Sequence, residues 1–491
     1  MSNFSQKDLQ SQSSEGAAPA TSPTAARGAS QGPTVWRLKA GLEKKFHRGH
    51  PWVFSSDLDQ SPKGHVAGAP VELRDARNQF LAHGYGHPNT LIAFRKLSQL
   101  PQLHAQDSAS AQQLLRGHLL EAAELRRRSG VDRWSHRLLF GEADQLPGLI
   151  VDRYWIQDEK QSPQSARQVF VLQSSTAGAD RLLPELQSVL EKLVSDGSLA
   201  KAFGGRGQTP MLTVWAQDSS SRAMEGLPRL ERRVCGNTEG VDLHHAWIAV
   251  ERADRQAPVH YEVDFLGGQK TGFFLDQRAN LRLIAAPWFE LLRTRATSTA
   301  GLRTLDLFSY VGQWSVQLAA LAAERASIAE GAKNFTIELT LADASAAALE
   351  HAEKNVRRAL EAASWRVAEV HALKMDVLDG LKDLPVAHYD VVICDPPAFV
   401  KKKKDLPTGR AAYFKVNREA LKRVAPGGLF VTCSCSGLFE EAEFAQMLAD
   451  AVRASGRKVH WIAKGGHGED HPSISSFPQG VYLKGWMACV D

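Results

Sequence analysis

From Val259 to the C-terminus, short apolar runs alternate with segments whose apolar residues recur at helical spacing. Such alternation predicts parallel strands joined by crossover helices, an α/β fold with an open, mostly parallel sheet. The strand runs are RTLDLFSY, IELTLADAS, VAEVHALKMDV, YDVVICDPPAF and, after a turn at Pro426-Gly427-Gly428, GGLFVTCSCSG. VGQWSVQLAALAAE and AAALEHAEKNVRRAL read as helices between them. Open sheets of this kind bind ligands beyond the carboxyl ends of their strands, so the residues ending each run are the ones to examine for chemistry.

Asp306 to Gly312 (DLFSYVG) offers a strand-to-helix turn whose backbone N–H groups suit a polar ligand. Asp343, ending the next strand, stands where such folds bind ribose hydroxyls. The turn has one glycine where dinucleotide-binding loops carry G-x-G-x-x-G, so a ligand without a pyrophosphate is favoured. Asp376 and Val377 are suited to bracket an adenine, the carboxylate accepting from its amine and the valine packing on its ring. Each acid alone reads equally well as a helix cap. Three in succession, followed by Asp395-Pro396-Pro397, read as a binding site. In DPPAF the prolines remove N–H donors and fix an extended turn, presenting a carboxylate and a carbonyl at the sheet edge.

Ahead of this region, residues 1–33 are dominated by Ser, Ala, Gln, Gly, Thr and Pro, and read as a disordered tail with too little apolar area to offset its ordering entropy. Residues 34–108 hold short runs broken by Gly, Pro and Asn; PVELRDA and FLAHGYG, joined by Arg-Asn, predict a small antiparallel barrel or sandwich. Residues 109–258 open on the amphipathic QQLLRGHLLEAAELRRRS and continue as mixed strands and helix, a central α/β domain, leaving 259–491 as the third.

The 491 residues carry 59 Lys+Arg against 54 Asp+Glu, a net +5 compatible with a polyanionic partner but also with many metabolic enzymes. Five unevenly spaced cysteines are too few for a disulfide framework, which predicts a reducing, cytoplasmic setting. No run has the length and apolarity of a membrane span, and the N-terminus lacks signal or transit character. No metal centre is expected, because Cys433 and Cys435 lack a second pair and neither His244-His245 nor the HGEDH run near His467 has the usual ligand spacing.

RLKAGLEKKFHRGHPWVFSSDL, GEADQLPGLIVDRY, SSSRAMEGL, QKTGFFLDQRANLR, CDPPAFVKKKK, CSCSGLF and HPSISSFPQGVYLKGW occur in one order from about Trp36 to the C-terminus. In these the chain resembles the class I S-adenosylmethionine-dependent 23S rRNA cytosine-5 methyltransferases with an N-terminal PUA domain, the RlmI type. The resemblance implies a β-rich PUA barrel over 34–108, the central α/β domain, and a Rossmann-like methyltransferase domain over 259–491. It implies S-adenosylmethionine as donor, lined by Gln277, Arg278, Asp306, Ser309, Gly312, Asp343, Asp376, Val377 and Asp395. It implies ribosomal RNA as partner, and homodimers occur among similar proteins. Many relatives carry a further Gly or Thr beside Gly312, where this chain has Gln313 and Trp314.

Carbon 5 of cytosine is too poor a nucleophile to attack a methyl donor directly, so a thiolate must first add at C6. Cys435 fits the family's catalytic position in SCSG, with Asp395 placed to hold N3 and the 4-amino group. Cys433, two residues earlier, belongs to the strand body. Lys401, Lys402, Lys403 and Lys404 beside DPPAF, and Lys44, Lys45 and Arg48 in the PUA-like start, are expected to track phosphates, and Phe399 to stack on an unstacked target base. Two rival readings are a guanine-N7 methyltransferase on the same scaffold, which would need no thiol, and a non-catalytic ribosome-assembly factor.

Overall fold

The computed structural model describes residues 34–156, 167–204, 211–295, 301–326, 336–362 and 368–491; the tail expected over 1–33 lies outside the described residues. The first sheet has five strands, β1 (Thr34–Arg37), β2 (Trp52–Phe54), β3 (Pro70–Arg74), β4 (Phe80–Gly86) and β5 (Ile92–Ser98), in the order β1-β3-β4-β5-β2. A short helix, α1 (Glu43–His47), lies between the first two. Trp36, Val53, Val71 and Phe94 fill its core. The β3–β4 hairpin is antiparallel, but β1 runs parallel to β3, which corrects the antiparallel reading. A long connection through α1 and β2 separates those two strands, so no tight turn forces them to oppose.

The second sheet follows α2 (Ser108–Arg128) and contains β6 (His136–Phe140), β7 (Leu149–Ile156), β8 (Arg167–Ser174), β9 (Met211–Ala216), β10 (Arg233–Cys235), β11 (Ala246–Glu251) and β12 (Pro258–Val263). Its order is β10-β9-β8-β7-β11-β12, with β6 on β7. Helices α3 (Ala177–Ser195) and α4 (Ser198–Ala202) join β8 to β9. Leu114, Leu115 and Leu119 on α2 meet Leu183, Leu186 and Leu190 on α3, at the spacings that the helical period puts on one face. The sheet runs past the boundary expected at 258, because β12 pairs antiparallel with β11 along its whole length.

The third sheet is the one that the alternation predicts. After α5 (Arg278–Arg295) come β13 (Leu302–Leu307), α6 (Gln313–Ala326), β14 (Ile337–Asp343), α7 (Ala346–Ala362), β15 (Ala368–Lys374), α8 (Val377–Gly380), β16 (Tyr389–Cys394), α9 (Leu406–Arg423), β17 (Val424–Ser434), α10 (Glu441–Ser455), β18 (Val459–Gly465) and β19 (Lys484–Val490). The order is β15-β14-β13-β16-β17-β19-β18, parallel through β17, with β19 antiparallel to both neighbours. This is an α/β Rossmann-like sheet whose strand order reverses at β13, so the ligand crevice lies at the carboxyl ends of β13 and β16. The turn expected at Pro426-Gly427-Gly428 is instead absorbed into β17, where the pairing with β16 shifts between Tyr389 and Val391 and Gly427 adopts φ +73°. Among the described residues no helix is long and apolar enough to cross a membrane.

Candidate active site

The turn after β13 is backbone-strained. Phe308 and Tyr310 take φ values of +61° and +49°, and Gly312 takes +77°, so left-handed residues flank Ser309. The resulting curl turns three amides back into the chain: Ser309 N–H donates to Ala342 O (3.1 Å), Tyr310 N–H to Asp343 Oδ2 (3.1 Å) and Gly312 N–H to Ser309 O (2.8 Å). These amides, expected to face a ligand, are thus already satisfied. Two side-chain oxygens are left open instead, since Ser309 Oγ and Asp306 Oδ1 are buried without a hydrogen-bond partner. The other oxygen of Asp306 accepts from Ser315 N–H (3.2 Å) and Oγ–H (2.8 Å). Burial pushes the Asp306 carboxyl up to about 7, against those bonds and with help from the charges of Asp395 and Asp343.

Asp343 ends β14 and also accepts from Ser345 N–H (2.8 Å). Asp376 is exposed and caps α8 through Leu378 N–H (2.9 Å), while Val377 packs among Leu305, Leu307 and Ala342. Gln277 stands just before α5, and its Nε2 is 2.8 Å from each oxygen of Asp395. Arg278 points elsewhere: its buried guanidinium donates to Ser135 O (2.6 Å) and Val131 O (3.4 Å), so it anchors the second sheet's entry and does not join the crevice cluster.

Asp395 follows β16 directly. Trp314 Nε1 donates to its Oδ2 (3.1 Å), and burial pushes its carboxyl up to about 6 despite that bond. Cys435 follows β17, half-buried, with Sγ 4.0 Å from Pro396 O. Its thiol is pushed up to about 11 by burial; the Lys270 ammonium acts the other way, and the Asp395 charge adds to the rise. Cys433 is fully buried within β17, its Sγ 3.9 Å from Gln277 Oε1 and 3.8 Å from Asn280 Nδ2. Both sulfurs therefore belong to the Asp395 neighbourhood, but only Cys435 is open to a substrate.

The DPPAF loop and the segment after Cys435 are stapled together. Val400 N–H donates to Ser436 Oγ (3.1 Å), which also meets Tyr413 OH (2.9 Å). The buried Lys484 ammonium donates to the carbonyls of Ser436 (2.8 Å), Phe439 (2.7 Å) and Tyr482 (3.0 Å). Asp276 binds Lys270 Nζ and Tyr482 OH, each at 2.6 Å. The sequence marks Trp314 only as a departure from relatives and gives no sign of Lys270, Asp276 or Lys484; Lys270 and Asp276 lie inside QKTGFFLDQRANLR, but nothing in that run reveals their partners.

The expected phosphate contacts fall into two groups. Lys44 and Lys45 on α1 and the following Arg48 line a cleft of about 540 Å³ that Ser475 and Ser476, between β18 and β19, close from the other side. Lys401 to Lys404 are all exposed between the DPPAF loop and α9. Phe399 is half-buried, edge-on to Tyr413 (4.8 Å) and Phe308 (6.3 Å).

Residues 37–99 match the profile of a PUA-like domain. Ribosomal RNA large subunit methyltransferase I of Serratia proteamaculans is 30% identical over 458 residues, covering 92% of this chain and 98% of that protein. The protein of the same description from Klebsiella pneumoniae is 30% identical over 454 residues, covering 92% and 97%. A solved structure from Streptococcus mutans, described as an S-adenosylmethionine-dependent methyltransferase, has 17% identity and a TM-score of 0.62, covering 93% of this chain and 100% of that one. The likeness extends the same fold over nearly the whole chain.

Proposed function

The chain belongs to the ribosomal RNA large subunit methyltransferase I family, and from that premise we propose that it moves a methyl group from S-adenosylmethionine to carbon 5 of a cytosine in large-subunit rRNA, through a covalent adduct on Cys435. The observation that carries this reading is a half-buried thiol held against the DPPAF loop at the sheet's switch point.

The polar groups of the crevice fit the donor. Asp306 Oδ1 and Ser309 Oγ are buried without partners, and a donor carrying an ammonium and ribose hydroxyls has the complementary groups. Asp306, Ser309, Asp343, Asp376 and Val377 would hold it, with Gln277 orienting Asp395 beside it; Gly312 only shapes the turn, its N–H donating to Ser309 O and its carbonyl accepting from Val316 N–H. Bound there, S-adenosylmethionine supplies an electrophilic methyl group. Arg278 is left out of the set because its guanidinium is committed to Ser135 and Val131.

Cys435 Sγ bonds to C6 of the cytosine as its thiol proton leaves to solvent, and negative charge builds at N3. Asp395, titrating near 6, donates a proton to N3 and neutralises that charge. C5 is now enamine-like and takes the methyl; loss of the C5 proton then breaks the S–C6 bond, expels the thiolate and returns the N3 proton to Asp395. Trp314 and Gln277 hold the carboxyl in position throughout. The first sheet and Lys401 to Lys404 bind the RNA that presents the base.

Nucleoside mass spectrometry of rRNA incubated with labelled donor tests this. Label in 5-methylcytidine with the wild type, and none with Cys435→Ala, is the expected result. Label in a guanosine product, or label that survives loss of Cys435, defeats the reading.

A further inference from the structure

We propose that His245, Glu262 and His351 form a site for one divalent transition-metal ion of the zinc class, at the seam between the second and third sheets. Glu262 lies on an edge strand of the second sheet, His351 on a helix of the third, and His245 just before β11. β12 is the last strand of its sheet, so its outer peptide groups have no strand partner. Asn355 on α7 fills that need: Glu262 N–H donates to Asn355 Oδ1 (2.7 Å), and Asn355 Nδ2 donates to Glu262 O (3.2 Å) and Val311 O (3.0 Å). This bridge fixes α7 against β12. His351, one helical turn before Asn355, is thereby laid over the Glu262 side chain.

The donor atoms converge. Nδ1 of His351 lies 3.0 Å, and Nδ1 of His245 3.2 Å, from the same oxygen, Glu262 Oε1. All three ligand atoms fall within 4.8 Å of one another. A tetrahedral ion bonded at about 2.0–2.1 Å separates its ligands by roughly 3.3 Å, so the two His–Glu distances are already close to a coordination edge, and the imidazoles need only small rotations to complete it. Two imidazoles and one carboxylate suit zinc, nickel or copper, whereas calcium and magnesium prefer oxygen alone. Glu262 is buried, with 3% of its side chain accessible, while His245 is 58% exposed and leaves the fourth position to water.

The carboxylate meanwhile has an occupant. Lys354 Nζ pairs with Glu262 Oε2, but the lysine side chain is 54% exposed, so its ammonium can withdraw into solvent when an ion arrives. Ion and ammonium therefore compete for one carboxylate. Nothing in the sequence signals the site, because no two of its ligands share a motif and His351 comes from a helix in another sheet.

The test is titration of the full, tag-free chain with Co(II), read by its visible d–d bands and followed by displacement with Zn(II). One ion per chain is expected, with nitrogen and oxygen ligation and no thiolate charge-transfer band. The double variant His245→Ala/His351→Ala, checked for native circular dichroism, should bind at least about 100-fold more weakly, since even loss of an outer-sphere partner costs up to that. Lys354→Gln should bind about two- to fivefold more tightly, the weight of an exposed ion pair. Unchanged affinity in the double variant, or a thiolate band placing the ion on the cysteines, overturns the proposal. Unchanged affinity in Glu262→Gln overturns it too, because the carboxylate is then not a ligand.

Discussion

At Cys435 the surroundings pull against one another: burial pushes the thiol up to about 11, Lys270 favours its ionised form, and Asp395 opposes that. Only the thiolate is nucleophilic, so at pH 7 about one thiol in 10⁴ is ready to attack. The thiol gains its charge as the proton leaves, and below pH 11 each unit of rise multiplies the thiolate fraction about tenfold. The step also needs a proton from Asp395, whose protonated fraction falls about tenfold per unit above about 6, so the two dependences offset and kcat/KM for RNA should stay nearly level between pH 7 and 9. Lys270→Met removes the favouring ammonium and should lower the rate throughout that range, while Lys270→Arg keeps a cation there and should retain most of it. A wild-type profile that climbs about tenfold per unit from pH 7 to 9 would mean that Asp395 donates no proton in the limiting step. Asp395 could be singled out from its local run DPPAF, and Cys435 from the likeness of SCSG to the family's motif, because both runs are short and sequential. Trp314 could not, since its bond to Asp395 spans 81 residues of chain and arises only when β13 and β16 pair.

At the scale of elements, the turn from β13 into α6 sets a left-handed backbone and close packing on one glycine, Gly312. A Cβ on Gly312 would meet Ala352 O at 3.2 Å and Ala352 Cα at 3.3 Å, in addition to the cost of φ +77°. Gly427 has nearly the same φ, +73°, with nothing within 4 Å of its would-be Cβ. Gly427→Ala should thus cost only the left-handed penalty, about 1–2 kcal/mol. Gly312→Ala should cost more, by whatever it takes to push α7 away, and should also weaken donor binding. Thermal midpoints and donor titrations of the two variants check this; equal losses would mean that α7 yields freely. The order of strands and helices around this turn was readable from periodicity, because buried parallel strands are continuous apolar runs. The direction of β1 was not readable, because a long crossover leaves it open. Nor was the absorption of Pro426-Gly427-Gly428 into β17, because the same residues serve a turn or a bulge equally well.

Across the whole molecule, one connection ties the three sheets together. The segment between β18 and β19 sends Asp470 to the second sheet, where its Oδ2 accepts from Arg137 N–H (3.0 Å) and its carbonyl from Arg126 Nη2 (3.0 Å). Arg126 is itself held by both oxygens of Asp144 at 2.7 Å. Farther along, Phe477 meets Trp52 of the first sheet edge-on at 4.5 Å, and Tyr482 reaches Asp276 beside Lys270. The cleft carrying Lys44, Lys45 and Arg48 is thus fixed relative to the crevice through the same connection that closes it with Ser475 and Ser476. If both basic groups grip one RNA, each contributes phosphate contacts whose loss reduces the salt dependence of binding by about 0.7 per contact on single-stranded RNA. Replacing Lys401 to Lys404 by Gln should lower the slope of log Kd against log salt by as much as about 3. Replacing Lys44, Lys45 and Arg48 by Gln should lower it by as much as about 2. The two losses should add when combined, because the groups lie on different sheets and share no partner residue. A combined loss no larger than either alone would mean that RNA bridges only one of them, and that the other is simply a solvated surface.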